Sequence, residues 1–122
     1  MKLTKRVFFE AAHRLTDYEG KCKMIHGHNW IVDIALTTDR PLDKTGFVVD
    51  FGDLKKIVDK FDHKLILKIY DENEKIAKSI PADWIVWTAF NPTCEEIVLH
   101  LQSEICKVTK LSKDEVSVEV FE

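Results

Sequence analysis

HGHNWIVDIALTT, residues 26–38, is the stretch that says most about how this chain folds. Every second residue from Trp30 to Leu36 is large and apolar, and this period of two is typical of a half-buried β-strand. His26 and His28 precede these residues at the same spacing, so both imidazoles point to the same face of the strand. The stretch therefore predicts a strand whose first residues can hold one ion between two histidines.

A second strand is predicted upstream, over residues 3–15. One of its faces carries Val7, Phe9, Ala11 and His13. If the two strands pair in antiparallel fashion across the loop at 16–24, His13 comes close to His26 and His28. Three neutral imidazoles with an open fourth position form a catalytic zinc site, because structural zinc sites normally fill all four positions with protein ligands.

Cys22 lies four residues before His26, in the predicted loop. One interpretation makes its sulfur the fourth ligand of a closed, structural and noncatalytic zinc site. The other leaves the thiol off the metal, as a catalytic group beside an open position. Spacing by itself does not choose between these interpretations.

The rest of the chain predicts two helices and one further strand. Asp50 can cap a helix that ends near 62–63, with Phe51, Leu54, Ile57, Val58 and Phe61 at helical spacing. Residues 71–92 show no clear pattern. Thr93 and Glu96 form a capping-box pattern for a helix that runs to about Leu111. Residues 115–121 alternate as a strand.

These elements predict an α+β fold in one domain, residues 1–122, with two helices on one face of an antiparallel sheet. Such a small sheet leaves edges unpaired, and unpaired edges favour pairing with another subunit.

The net charge of −3 argues against a nucleic-acid surface, and no apolar run is long enough to cross a membrane. With no signal segment and an odd number of cysteines, three, the chain is expected to be cytoplasmic.

Four acidic or imidazole residues have both an ordinary and a functional interpretation. Asp62 and His63 are either a solvated helix end or a carboxylate that orients a catalytic imidazole. Glu95 suits the first turn of a helix on electrostatic grounds alone. Glu122 is the last residue of the sequence, where residues are usually frayed.

Taken together, the motifs resemble the 6-pyruvoyltetrahydropterin synthase family, and more closely its bacterial 6-carboxy-5,6,7,8-tetrahydropterin synthase branch. The matching segments, in the family's order, are FEAAHRL at 9–15, YEGKC at 18–22, HGHN at 26–29, VDFGDLK at 49–55, DH at 62–63 and NPTCE at 91–95. Each segment is weakly specific, whereas the ordered set is highly specific.

The resemblance implies a role for each candidate residue. It implies that the zinc ligands are His13, His26 and His28, and that Cys22 is catalytic and stays off the metal. It implies that Asp62 and His63 complete a catalytic relay from a neighbouring subunit. It also implies a pterin pocket flanked by Thr93 and Glu95, with Glu122 as the residue that anchors the pterin.

The resemblance further implies the tunnelling fold, in which strands and helices follow the order ββααββ; the last strand of that order is missing here. It also implies that the subunits form trimers, which stack in pairs into hexamers. The spacing of four residues between Cys22 and His26 matches the carboxy branch. In the pyruvoyl branch, the cysteine lies six residues before the corresponding histidine. The implied reaction converts 7,8-dihydroneopterin triphosphate to 6-carboxytetrahydropterin, acetaldehyde and triphosphate, for queuosine-type precursors. Glu96 stands where the family usually has asparagine. We expect this substitution to serve the helix cap and to have no effect on catalysis.

Overall fold

The computed structural model describes all 122 residues of the chain. The strands are β1 (Lys2–His13), β2 (His26–Thr37), β3 (Lys64–Lys68), β4 (Ile85–Thr88) and β5 (Val116–Phe121). The helices are α1 (Phe51–Asp59), α2 (Asp71–Ala77) and α3 (Cys94–Thr109), with single 3₁₀ turns at Lys21–Lys23 and Ala82–Trp84. No helix combines the length and the apolar character that crossing a bilayer requires.

The five strands form one mixed sheet in the order β4-β3-β1-β2-β5. β2 pairs in antiparallel fashion with β1 and with β5, as the sequence predicts. β3, however, runs parallel to both β1 and β4. The α+β class is thus confirmed, whereas the prediction of a purely antiparallel sheet is wrong on the β3 side.

The predicted element order, ββααβ, is also wrong, because three helices alternate with the strands after the first hairpin: ββαβαβαβ. The segment at 71–92, for which the sequence pattern predicts no structure, contains α2 and β4. β3 escaped prediction because its apolar residues form a continuous run, Leu65–Leu67, that is buried throughout. A short run of this kind has no periodicity that separates a strand from a helix.

The main core lies between α1, α3 and one face of the β1–β2 hairpin. It is a cluster of 17 buried apolar residues, and its centre is the stacked pair Phe9 and Trp30, whose ring centroids lie 5.4 Å apart. The indole Nε1 of Trp30 donates to the carbonyl of Ala11 at 3.2 Å, so the ring is both packed and hydrogen-bonded. The opposite face of β1 is uncovered, and Phe8 there is 64% exposed.

Both long helices begin at the residues that the sequence predicts. The Asp50 carboxylate accepts from the Gly52 amide at 2.7 Å, and the Thr93 hydroxyl accepts from the Glu96 amide at 3.3 Å. These bonds satisfy amides that would otherwise have no partner in the first turn. The caps fix where α3 starts, and its start lies beside the histidines.

Candidate metal centre and catalytic residues

The pairing of β1 with β2 brings the three histidines together. His13 lies directly opposite His26, and Ala11 lies opposite His28, so the three rings surround one point at the end of the hairpin. The ring centroids are 4.5 to 5.2 Å apart, and each ring offers a nitrogen within 4.8 Å of the others. This cluster continues the core face: Trp30 packs edge-on against His13 and His28.

Backbone carbonyls orient two of the rings. Nδ1 of His13 donates to the carbonyl of Pro92 and Nδ1 of His26 donates to that of Met24, each at 2.7 Å. In a neutral imidazole the proton then sits on Nδ1, which leaves Nε2 with an exposed lone pair. Hydrogen bonds of this type are the usual outer shell of metal-binding histidines.

The ring nitrogens that face the centre of the cluster repel one another, and a bound cation would remove this repulsion. Nε2 of His13 and Nε2 of His26 are 3.0 Å apart, so two lone pairs face each other. Nε2 of His28 is buried without any hydrogen bond. Two nitrogens bound to one tetrahedral zinc at about 2.05 Å would be roughly 3.3 Å apart. The donor set and its spacing therefore fit a zinc ion.

Burial also prepares His13 for metal binding. It lowers the pKa of His13 below its ordinary value, and the nearby His26 ring adds to this effect, although the Pro92 carbonyl opposes it. Because a metal binds neutral imidazole, a lowered pKa keeps the ligand available at neutral pH.

Glu122 lies beside this cluster. Its carboxylate is 3.6 Å from Nε2 of His28, so the residue after β5 reaches the histidine cluster. The same carboxylate approaches Cys94 at the start of α3. Burial, together with this anionic neighbour, raises the pKa of the Cys94 thiol to about 12. Cys94 is therefore a protonated packing residue at neutral pH.

The segment before α3 is tied to the metal centre by its backbone. Pro92 provides the carbonyl for His13, and the Asn91 amide pairs with both backbone groups of Thr16, at 2.9 and 3.0 Å. Thr93 follows as the helix cap, and Glu95 is exposed in the first turn. Sequence reasoning missed the structural roles of Asn91 and Pro92, because their partners lie about 75 positions earlier in the chain.

Cys22 sits on the 3₁₀ turn Lys21–Lys23 and is partly exposed. Its sulfur is not part of the group of metal-binding atoms, which contains only the three histidines. The Cys22 carbonyl accepts from the Leu15 amide at 2.9 Å, which holds the turn against the end of β1. The structure therefore does not group the thiol with the ligand atoms, and its catalytic role stays a prediction.

Asp62 and His63 lie together in the turn after α1. Nδ1 of His63 is 3.0 Å from the Asp62 carboxylate, which also accepts from the Glu10 amide at 2.9 Å. That amide bond lowers the pKa of Asp62 and keeps it anionic. His63 adopts a left-handed backbone conformation, with φ 58°, and its amide donates to the Glu10 carbonyl at 2.6 Å.

Glu10 is a residue that sequence reasoning missed at this pair. Its carboxylate lies 3.8 Å from Nε2 of His63, on the uncovered face of β1. A shallow depression on this face is lined by Glu10, Ala12, Gly27, Asn29 and His63. No hydrogen bond or ion pair joins Asp62 or His63 to Cys22 within the chain.

Comparison with known proteins agrees with this geometry. The model of the 6-pyruvoyl tetrahydropterin synthase family matches residues 2–122. The chain is 36% identical over 113 residues to the 6-carboxy-5,6,7,8-tetrahydropterin synthase of Rickettsia typhi, covering 86% of this chain and 80% of that protein. It is 30% identical to the probable enzyme of the same name from Halobacterium salinarum, covering 92% of this chain and 74% of that protein.

Solved structures show the same fold. A variant of Plasmodium vivax 6-pyruvoyltetrahydropterin synthase superimposes with a TM-score of 0.67 over 100% of this chain and 91% of that one, at 23% identity. An uncharacterised protein from Wolinella succinogenes does so with a TM-score of 0.64, over 100% and 92%, also at 23% identity. The match over nearly the whole sequence, together with the histidine cluster, places this chain in the 6-pyruvoyl tetrahydropterin synthase family.

Proposed function

We propose that this protein is a zinc-dependent carbon–carbon lyase, a 6-carboxy-5,6,7,8-tetrahydropterin synthase. Its substrate is 7,8-dihydroneopterin triphosphate, and its products are 6-carboxytetrahydropterin, acetaldehyde and triphosphate. The observation that carries the proposal is the set of three histidines whose ring nitrogens lie within 4.8 Å of one another, two of them oriented by a backbone carbonyl at Nδ1. The names of the relatives and the four-residue step from Cys22 to His26 support the carboxy-type reaction.

His13, His26 and His28 would hold the zinc ion. A zinc ion bound there supplies Lewis-acid polarisation of a substrate oxygen, which makes an adjacent proton easier to remove. The two carbonyls that orient His13 and His26 keep the ligand nitrogens aimed inward. Because the chain provides three ligands and not four, a position remains for substrate.

The remaining residues divide between substrate binding and proton transfer. Glu122 anchors the pterin, since a carboxylate can accept two parallel hydrogen bonds from adjacent N–H donors. Its carboxylate lies 3.6 Å from Nε2 of His28, so the pterin edge that it anchors would lie next to the histidine cluster. Thr93 and Glu95, at the start of α3, would flank the bound pterin. Cys22 takes one proton, and His63, held by Asp62, acts as the second acid–base group.

The active assembly is a homo-oligomer, in keeping with a hexamer built from two trimers. Two strands, β4 and β5, have an unpaired edge, and the face of the sheet that carries Phe8 is uncovered. Exposed edges and apolar faces of this kind are stabilised by pairing between subunits. The same pairing between subunits supplies the contact between Cys22 and His63 that one chain lacks.

We place the enzyme in the cytoplasm, in the biosynthesis of queuosine-type precursors.

Product analysis tests the proposed reaction. Incubation of the zinc-loaded protein with 7,8-dihydroneopterin triphosphate is expected to release triphosphate, acetaldehyde and a carboxylated tetrahydropterin, identified by mass. The control is Cys22→Ala treated in the same way. A pterin product that keeps every side-chain carbon would instead identify a pyruvoyl-type synthase. Absence of any product from the zinc-loaded protein would support a noncatalytic zinc-binding module.

A subunit-mixing experiment tests the shared site. Cys22→Ala and His63→Ala are each expected to be inactive, and mixing them under conditions of subunit exchange is expected to restore activity. With random exchange, roughly a quarter of the sites regain both residues, because each residue comes from a different chain. Mass spectrometry of the mixed oligomers provides the control for exchange. Exchange without recovery would show that one chain builds the whole site.

A further inference from the structure

Arg14 is a buried cation that the proposed mechanism does not use. It is 3% exposed and directly follows the metal-binding residue His13. Its nearest carboxylate, that of Glu72, is 3.5 Å away and 53% exposed. Burying a guanidinium costs free energy unless hydrogen-bond acceptors surround it. The acceptors that Arg14 reaches therefore indicate what the residue does.

Those acceptors connect the loop of Cys22 to α2. Nε of Arg14 donates to the carbonyl of Lys23 at 2.9 Å, one residue after Cys22. Nη1 donates to Oδ1 of Asn73 at 2.5 Å, and the fully buried Asn73 in turn donates to the carbonyl of Lys68 at 2.9 Å. The path thus runs from the Cys22 turn, through Arg14 and Asn73, to the end of β3.

The side chain of Cys22 has no hydrogen bond of its own. The position of its sulfur is therefore set by the backbone of the turn. That backbone is held at two adjacent carbonyls: the Leu15 amide donates to that of Cys22, and Arg14 donates to that of Lys23. His26 also reaches back to the carbonyl of Met24. Three consecutive carbonyls, of residues 22–24, are thereby held at the end of the turn that leads into β2.

We infer that Arg14 and Asn73 are positioning residues that hold the turn of Cys22 at the metal centre. The inference rests on the proposed function, in which Cys22 transfers a proton. His13 and Arg14 are consecutive, so one strand end supplies both a metal ligand and the support of the catalytic turn. Loss of the support is expected to loosen the turn without removing any metal ligand.

The test compares Asn73→Ala with Glu74→Ala, an exposed neighbour on α2 whose side chain makes no hydrogen bond or ion pair. In Asn73→Ala, amide hydrogen exchange within residues 15–24 is expected to accelerate about tenfold, since a buried donor loses its acceptor. We expect kcat to fall by a similar factor, with KM and zinc content unchanged. Glu74→Ala is expected to match the unmodified protein in each measurement.

Asn73→Asp provides a conservative rescue of the bond to Arg14, because its carboxylate still accepts from Arg14, although it no longer donates to the Lys68 carbonyl. Its exchange rates in 15–24 and its kcat are expected to lie closer to those of the unmodified protein than to those of Asn73→Ala. If Asn73→Ala does not fold, Arg14→Lys gives the same comparison, since lysine keeps the charge but cannot bridge both acceptors.

Two results would overturn the inference. One is unchanged exchange in residues 15–24 of Asn73→Ala. The other is acceleration spread evenly over β1 and β2, which would mean that Asn73 contributes only general stability. The exchange measurement needs no substrate, so it decides the role of Arg14 even if the unmodified protein proves to have no synthase activity.

Discussion

Replacing His28 with alanine is expected to abolish the binding of one zinc ion per subunit. The mutation removes one of the three imidazoles that form the group of metal-binding atoms, and the two that remain are too few to hold the ion firmly. Loss of an outer-shell partner already weakens metal binding 10- to 100-fold, so loss of a ligand is expected to exceed about 100-fold. Metal analysis after dialysis, with zinc counted per chain, provides the measurement.

The matched control for this experiment is His100→Ala. His100 lies on α3 and packs against Phe61 and Phe90, away from the cluster. It is expected to keep a full complement of zinc, although the loss of ring packing lowers stability. Retention of full zinc by His28→Ala would contradict the assignment of the metal centre.

Replacing Cys22 with alanine is expected to eliminate turnover while zinc and fold are retained. The sulfur is outside the group of metal-binding atoms, so its removal leaves the three nitrogens unchanged. A positioned acid–base group contributes roughly 10²- to 10⁴-fold to a rate, and kcat is expected to fall by at least the lower of these factors. Steady-state kinetics and zinc content are measured on the same preparation.

Cys106→Ala is the control, because Cys106 packs at the edge of the core and is far along α3 from its start. It is expected to keep kcat. If Cys22→Ala loses zinc, the thiol is a fourth ligand and the closed structural site is the better description. If Cys22→Ala keeps both zinc and full activity, another group transfers the proton.

Local patterns were sufficient to predict much of the candidate site. The two-residue spacing of His26 and His28 follows from strand geometry, and the pairing of the two strands placed His13 opposite them. The helix caps at Asp50 and Thr93 were also predictable, because a cap depends on residues two or three positions apart. The roles of Cys22, Asp62, His63 and Glu122 stay predictions.

Sequence reasoning failed where the decisive contact joins distant parts of the chain. β3 pairs in parallel with β1 across more than 50 residues, and a parallel strand buried on both faces shows no alternation. Asn73 reaches Arg14 across 59 positions, and Glu10 contacts His63 across a similar interval. The spacing of apolar residues within one strand or helix carries no information about such long-range contacts.

By itself, the sequence determined the β1–β2 hairpin, the starts of α1 and α3, and the histidines that share one face, because these follow from side-chain periodicity over a few residues. Only the tertiary structure decided the mixed sheet, the buried support of the Cys22 turn and the placement of Glu122 against His28. The physical reason is that burial and long-range hydrogen bonding depend on which strands and helices pack against each other. These contacts join residues that are far apart in the sequence, so they form only in the folded chain.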